Sequence, residues 1–174
     1  MTELNQAQIH QAAQILTDSL KLGWPTVKDA LEEIEERLIP ENTLLAAVEG
    51  TAVIGWGGIL APTYDGNVFE LHPLAVRADK RRLGVGRAIV TALEDEARKQ
   101  GGITISLGAD DDKEGGETSL ANSDLYEDLW DKIHHFKPGS HQSGFYMKMG
   151  YQIIGVMPDA SGTGKPDIFF GKRL

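Results

Sequence analysis

The sequence contains no cysteine. That removes disulfides, thiolate metal sites and a cysteine nucleophile together, and agrees with a cytoplasmic protein. It has no run of about 18 apolar residues, so no membrane-crossing helix is expected. The opening stretch, "MTELNQAQIH", lacks the basic-then-apolar order of a secretory signal, so export is not expected either. Positive charge is scarce: 17 lysines and arginines stand against 26 aspartates and glutamates, a formal net charge of −9. Nucleic-acid binding depends chiefly on phosphate neutralisation by Lys and Arg, so this balance argues against it and favours a cationic partner.

What is present fits one domain spanning residues 1–174. From Ala7 to Leu20, the residues Ile9, Ala12, Ala13, Leu16 and Leu20 recur at helical spacing. A second helix is expected after Pro25, with Val27, Leu31, Ile34 and Leu38 on one face and Thr26/Asp29 as a capping box. The turn between them, "GWP", carries Trp24. "TLLAAVE" and "AVIGWGGIL", separated by Gly50-Thr51, predict a hairpin. "NVFELHPLAV" continues as a third strand, in which Pro73 implies a bulge or a place where pairing stops. "GVGRAIVTALEDEARKQ" is the strongest helix, stopped by Gly101-Gly102, and "ITISL" is a short buried strand. Strand, glycine turn, helix, strand predicts a βαβ unit with parallel strands.

Residues from 108 to about 143 form an acidic, glycine-dotted insertion in which "SDLYEDLWDKIHHF" is a candidate helix. "SGFYMKMG" follows as a short helix with a glycine stop, then "YQIIGV" and "DIFFGKR" as closing strands. No metal site is expected: His134 and His135 are adjacent and cannot face one ion from a helix, and His10, His72 and His141 are scattered.

The chemistry-bearing stretch is "DKRRLGVGRAIV". Gly84 and Gly86 let a ligand approach the backbone, where the first-turn N–H groups and the helix dipole favour an anion. Arg81, Arg82 and Arg87 add charge at the rim, while Val85 lies between the glycines. A tight strand-to-helix turn with solvent-facing arginines is the competing reading. A dinucleotide fingerprint fails at Ile89, where a small residue is wanted, and a Walker loop fails at Pro166 of "GTGKPD".

Arg-x-x-Gly-x-Gly between a strand and an amphipathic helix resembles the acetyl-coenzyme A pyrophosphate loop of the GNAT superfamily of N-acetyltransferases. The order of elements is similar over nearly the whole chain, although the family's usual first strand is hard to find in "MTELN". The resemblance implies an α/β (α+β) fold: a mixed, mostly antiparallel sheet with a central splayed parallel pair and helices on both faces. "FELHPLAV", "GGITISLGADD", "TSLANSDLYED" and the stretch from "GFYMKMGY" through "KPDI" look like bacterial aminoglycoside 6′-N-acetyltransferases of the enterococcal chromosomal type. This implies acetyl-coenzyme A as co-substrate, a cationic amine as acceptor, and an antibiotic-resistance activity. The resembled enzymes are often dimeric, so a homodimer is implied as well. A polyamine, a small metabolite amine or a protein amine remains an open acceptor, and a non-catalytic acyl-coenzyme A sensor is the competing class.

The resemblance also assigns roles. Backbone groups of Leu74 and Val76 would hold pantetheine; Glu70 would be the base; Tyr146 would protonate the leaving thiolate. Asp110 and Asp111 match a family "DD", with Asp112 adjoining, and Asp167 matches in "KPDI", as acceptor ligands or structural residues. From the residues themselves, His72 lies two positions from Glu70 on one strand face and is an assisting base or a structural histidine. Leu74 N–H is an oxyanion donor if Pro73 breaks the pairing. Trp24 either offers a sugar-binding face or covers the core. Without a cysteine, direct attack in a ternary complex is the simpler route.

Overall fold

Two helices with matching caps open the chain. In α1 (Gln6–Ser19), Asn5 accepts from the Gln8 N–H and the Gln8 side chain answers on the Asn5 backbone. In α2 (Val27–Arg37), Thr26 and Asp29 do the same, as their spacing predicts. The structure, a computed structural model, describes residues 4–174, so most of "MTELN", the place of the family's first strand, lies outside the described residues. The chain forms two compact units, one running to Ile105 and including Leu174, the other from Ser106 to Arg173.

In the first unit, β1 (Thr43–Glu49) and β2 (Ala52–Ile59) form the expected hairpin, closing on Glu49↔Ala52 around Gly50 at φ 62°. β3 (Val68–Val76) lies antiparallel to β2. The helices α1 and α2 cover one face through Ala12, Leu16, Ala30 and Ile34, with Trp56 fully buried beneath them. Its indole N–H donates to Ala12 O at 2.9 Å, so the largest core side chain carries no unsatisfied polar atom. On the other face, glycines admit α3 (Val85–Lys99): a Cβ at Gly55 would stand 3.2 Å from both Ile89 and Val85. β4 (Thr104–Asp110) starts beside the start of β3, Ile103 and Thr104 both donating to Asn67 O. The β3–α3–β4 segment is thus the parallel βαβ unit its sequence predicts.

Pro73 leaves a precise mark on the ladder. Gly57 pairs with Leu74 and Ile59 with Leu71, so Gly58 alone faces His72 and Pro73, a bulge on β3. The His72–Pro73 peptide bond is cis. The extra residue switches faces. Before it, His72 is on the side of α2; after it, Leu74 packs with Ile89 of α3 against Gly57, while Ala75 joins the core under α1 and α2.

In the second unit, β5 (Gln152–Met157) and β6 (Asp167–Arg173) pair antiparallel, and β6 lies next to the latter part of β4. α5 (Ser143–Lys148) is the predicted short helix, ended by Gly150 at φ 89°. The acidic segment departs from expectation in one respect. Only α4 (Leu129–His134) forms where fourteen residues were candidates. The Asp124 carboxylate takes the Tyr126 N–H, and Asp128 is left-handed at φ 52°. The local side-chain bond competes with helical pairing until Leu129. Among the described residues no helix is long and apolar enough to cross a membrane.

Candidate functional site

The helix starts differ in a way that bears on ligand binding. α1 and α2 satisfy their first-turn N–H groups with side chains, whereas α3 begins at Gly84 with φ 89° and no side-chain cap. A Cβ at Gly84 would meet nothing within 4 Å, so the space over that helix end is open. Val85 and Gly86 are partly buried, and Arg82 is itself left-handed at φ 61°. Uncapped N–H groups at the positive end of a 15-residue helix favour an anion such as a pyrophosphate.

The neighbouring cations are not equivalent. Arg77 is tied to Asp79 and Lys80 to Glu49. Arg81 donates Nε to Val76 O at 3.0 Å and Nη2 to Ser19 Oγ at 2.9 Å, fastening the loop to the end of β3 and to α1. Arg82 and Arg87 are exposed and have no protein partner among the described residues. They are the two guanidinium groups left for an anion, while Arg81 shapes the loop.

On β3, Glu70 is exposed and His72 half-buried. The His72 ring lies 5.8 Å from that of Trp24, and its Nε2 is 3.3 Å from Glu33 Oε1 on α2. Trp24, read from sequence as either a sugar platform or core cover, packs against the α1–α2 core and also borders His72. Glu33 was not singled out from sequence. Its one signal is position: with Arg37 at i+4 it borders the buried stripe of Ala30 and Ile34, whereas Glu32, Glu35 and Glu36 face solvent.

In the second unit, Tyr146 is buried in an aromatic cluster with Phe145, Tyr151 and Phe170. Burial pushes its phenol well above the ordinary value, so at neutral pH it keeps its proton. The carboxylates divide by partner. Asp111 is buried, and its two oxygens accept the Glu117 and Thr118 N–H groups at 2.8 and 2.7 Å. Asp110 is exposed and accepts from Ser161; Asp112 is partly exposed. Asp167 sits against Gly108, where a Cβ would come within 2.9 Å of its carboxylate. A larger residue than glycine at 108 would displace it.

His141 and Ser143 close the same segment. His141 Nε2 donates to the Asp110 carbonyl at 2.9 Å, so Nδ1 accepts from Ser143 Oγ at 2.6 Å. Burial works to raise the Glu117 carboxyl, but hydrogen bonds from Lys113 and Ser140 outweigh it and hold it below the ordinary value. No group of three His, Asp or Glu side chains among the described residues is arranged to hold a metal ion.

Comparison with known proteins adds a family. Residues 9–116 match the model of the acetyltransferase (GNAT) family. The chain is similar to an aminoglycoside 6′-N-acetyltransferase solved in complex with coenzyme A, at 38% identity over 97% of this chain and 92% of that one, with a TM-score of 0.88. It is equally similar in sequence to the aminoglycoside 6′-N-acetyltransferase from Enterococcus faecium, at 38% identity over 97% and 92% with a TM-score of 0.85. An aminoglycoside 6′-acetyltransferase of type Ii is 32% identical over 97% and 91%, with a TM-score of 0.74. No curated protein matches the chain.

Proposed function

The chain belongs to the acetyltransferase (GNAT) family, and from that premise we propose that it moves the acetyl group of acetyl-coenzyme A to the 6′-amino group of an aminoglycoside. The observation that carries this reading is the likeness, over nearly the whole chain, to enzymes of that activity. The uncapped α3 start beside Arg82 and Arg87 supports the donor half.

The residues supply the following chemistry. The N–H groups of the α3 first turn, with Arg82 and Arg87, hold the pyrophosphate, and backbone groups of Leu74 and Val76 align the pantetheine arm. The acceptor arrives as an ammonium and must lose a proton to become a nucleophile. Glu70, directly or through a water, is the base on this reading. The freed nitrogen lone pair forms the C–N bond while the Leu74 N–H stabilises the charge gathering on the carbonyl oxygen. The nitrogen then sheds its second proton, the C–S bond breaks, and the sulfur takes a proton from Tyr146, whose phenol is restored from solvent. Asp110 and Asp112 are the open carboxylates for a polycationic acceptor, and Trp24 offers an apolar face to a sugar ring.

An acceptor screen that follows thiol release tests the proposal. Aminoglycosides bearing a 6′-amino group should be acetylated with kcat/KM far above that of analogues with a 6′-hydroxyl or of spermidine. Faster turnover of spermidine would shift the assignment to a polyamine, and coenzyme A binding without thiol release for any amine would make the chain a sensor.

A further inference from the structure

We infer that Glu33 is a positioning residue that acts through His72, making the His72 imidazole a proton acceptor for the incoming amine. The inference rests on the acetyl-transfer reading above and adds to it a residue on α2.

The Glu33 side chain is 12% exposed, and a carboxylate that far from water is kept only when paired. Arg37 supplies one partner, its Nε 2.7 Å from Glu33 Oε1. The same oxygen also stands 3.3 Å from His72 Nε2, on a strand distant in sequence. A carboxylate only accepts, so in the neutral imidazole the proton belongs on the ring nitrogen facing it, and Nδ1 is the nitrogen with the lone pair. Trp24 lies against the ring, and among the described residues His72 has no other partner. The imidazole is therefore held on two sides with one nitrogen open.

The groups that face it are Glu33, itself held by Arg37, from α2; Trp24 from the preceding turn; and Glu70 from the same strand face. In the step assigned to it, the amine freed by Glu70 has formed its C–N bond to the acetyl carbon, one of the two N–H bonds left on that nitrogen breaks, and the proton passes to Nδ1. The electron pair of that bond stays on nitrogen as the lone pair of the amide. The imidazolium so formed is balanced by Glu33 and afterwards gives its proton to water. This is the logic of a base oriented by a third group.

A double-mutant cycle on the full chain tests it, using the best amine from the acceptor screen with acetyl-coenzyme A saturating. Glu33→Gln should lower kcat roughly tenfold and leave the KM for acetyl-coenzyme A unchanged. His72→Gln should lower it at least as much, and the double variant should fall no further than His72→Gln alone. Additive losses, or an unchanged kcat in Glu33→Gln, would overturn the inference. Nitrogen-15 shifts of the His72 ring in the wild-type protein give a second reading that needs neither a variant nor an acceptor. The Nε2–H tautomer is expected, and an Nδ1–H tautomer would refute the role of Glu33. If the screen finds no acetylated amine, the functional proposal fails by itself, while the ring shifts still decide whether Glu33 holds His72.

Discussion

In the first unit Arg82 and Arg87 stand exposed at the start of α3 without protein partners among the described residues, whereas in the second Asp111 is buried with both oxygens given to backbone N–H groups. Both features look alike in sequence, as clusters of one charge beside glycines. The arginines sit where a helix start already offers unsatisfied donors, so the fold makes no use of their charge. The second-unit loop is long and has few backbone ladders, and it draws on its own side chains to satisfy its N–H groups. A charged cluster is available to a ligand only when the local backbone does not need it.

Substitutions can break this contrast. The largest effect should come from Asp111→Ala, which strips two N–H groups of their acceptor and should cost about 2–5 kcal/mol of stability by urea denaturation. A variant of unchanged midpoint, with only a raised acceptor KM, would return Asp111 to the substrate. Next, Tyr146→Phe should reduce turnover by about 10–100-fold with little change in acetyl-coenzyme A affinity or stability. Normal turnover would leave Tyr146 as a packing residue.

A smaller effect belongs to the open arginines. Arg82→Ala and Arg87→Ala should each weaken coenzyme A binding about threefold to tenfold in calorimetry, more at low salt than at high. Arg81→Ala should instead loosen the loop, seen as faster amide exchange at residues 82–84, because its guanidinium is committed to Val76 and Ser19. The mildest change is expected from Asp112→Asn, a rise of about two- to fivefold in acceptor KM that salt diminishes. Loss of stability there would place Asp112 with Asp111.

The shifted groups give pH its own test. The phenol of Tyr146 is raised when folded, so the stability it allows is fully present below the ordinary phenol value and falls as pH climbs past it. The Glu117 carboxyl is lowered, so its contribution is present above the ordinary carboxylate value and is lost as pH falls below it. Denaturation midpoints measured across both limbs, with Tyr146→Phe and Glu117→Gln as references, should show each slope removed by its own variant.

Much of the architecture was legible in the residues. The Thr26/Asp29 box, the Gly50-Thr51 hairpin, the glycine stops after α3 and α5, and the bulge at Pro73 all rest on short-range sterics and hydrogen bonding. The Arg-x-x-Gly-x-Gly turn was legible for the same reason, since it depends on missing side chains at adjacent positions. The extent of α4 was not, because helical periodicity does not reveal the Asp124 side chain capturing the Tyr126 N–H.

Two matters were decided only by the tertiary structure. One is which ionised groups are spent: Arg81 and Asp111 are, Arg82 and Arg87 are not, and the difference lies in neighbours as remote as Ser19 from Arg81. The other is the meeting of Trp24, Glu33 and His72, which come from a turn, a helix and a strand. Sequence determines a residue's chemistry and local geometry, because those depend on atoms a few bonds away. Pairing across about forty residues depends on how α2 packs over β3, and that follows from the burial of Trp56, Ala30 and Ile34 together.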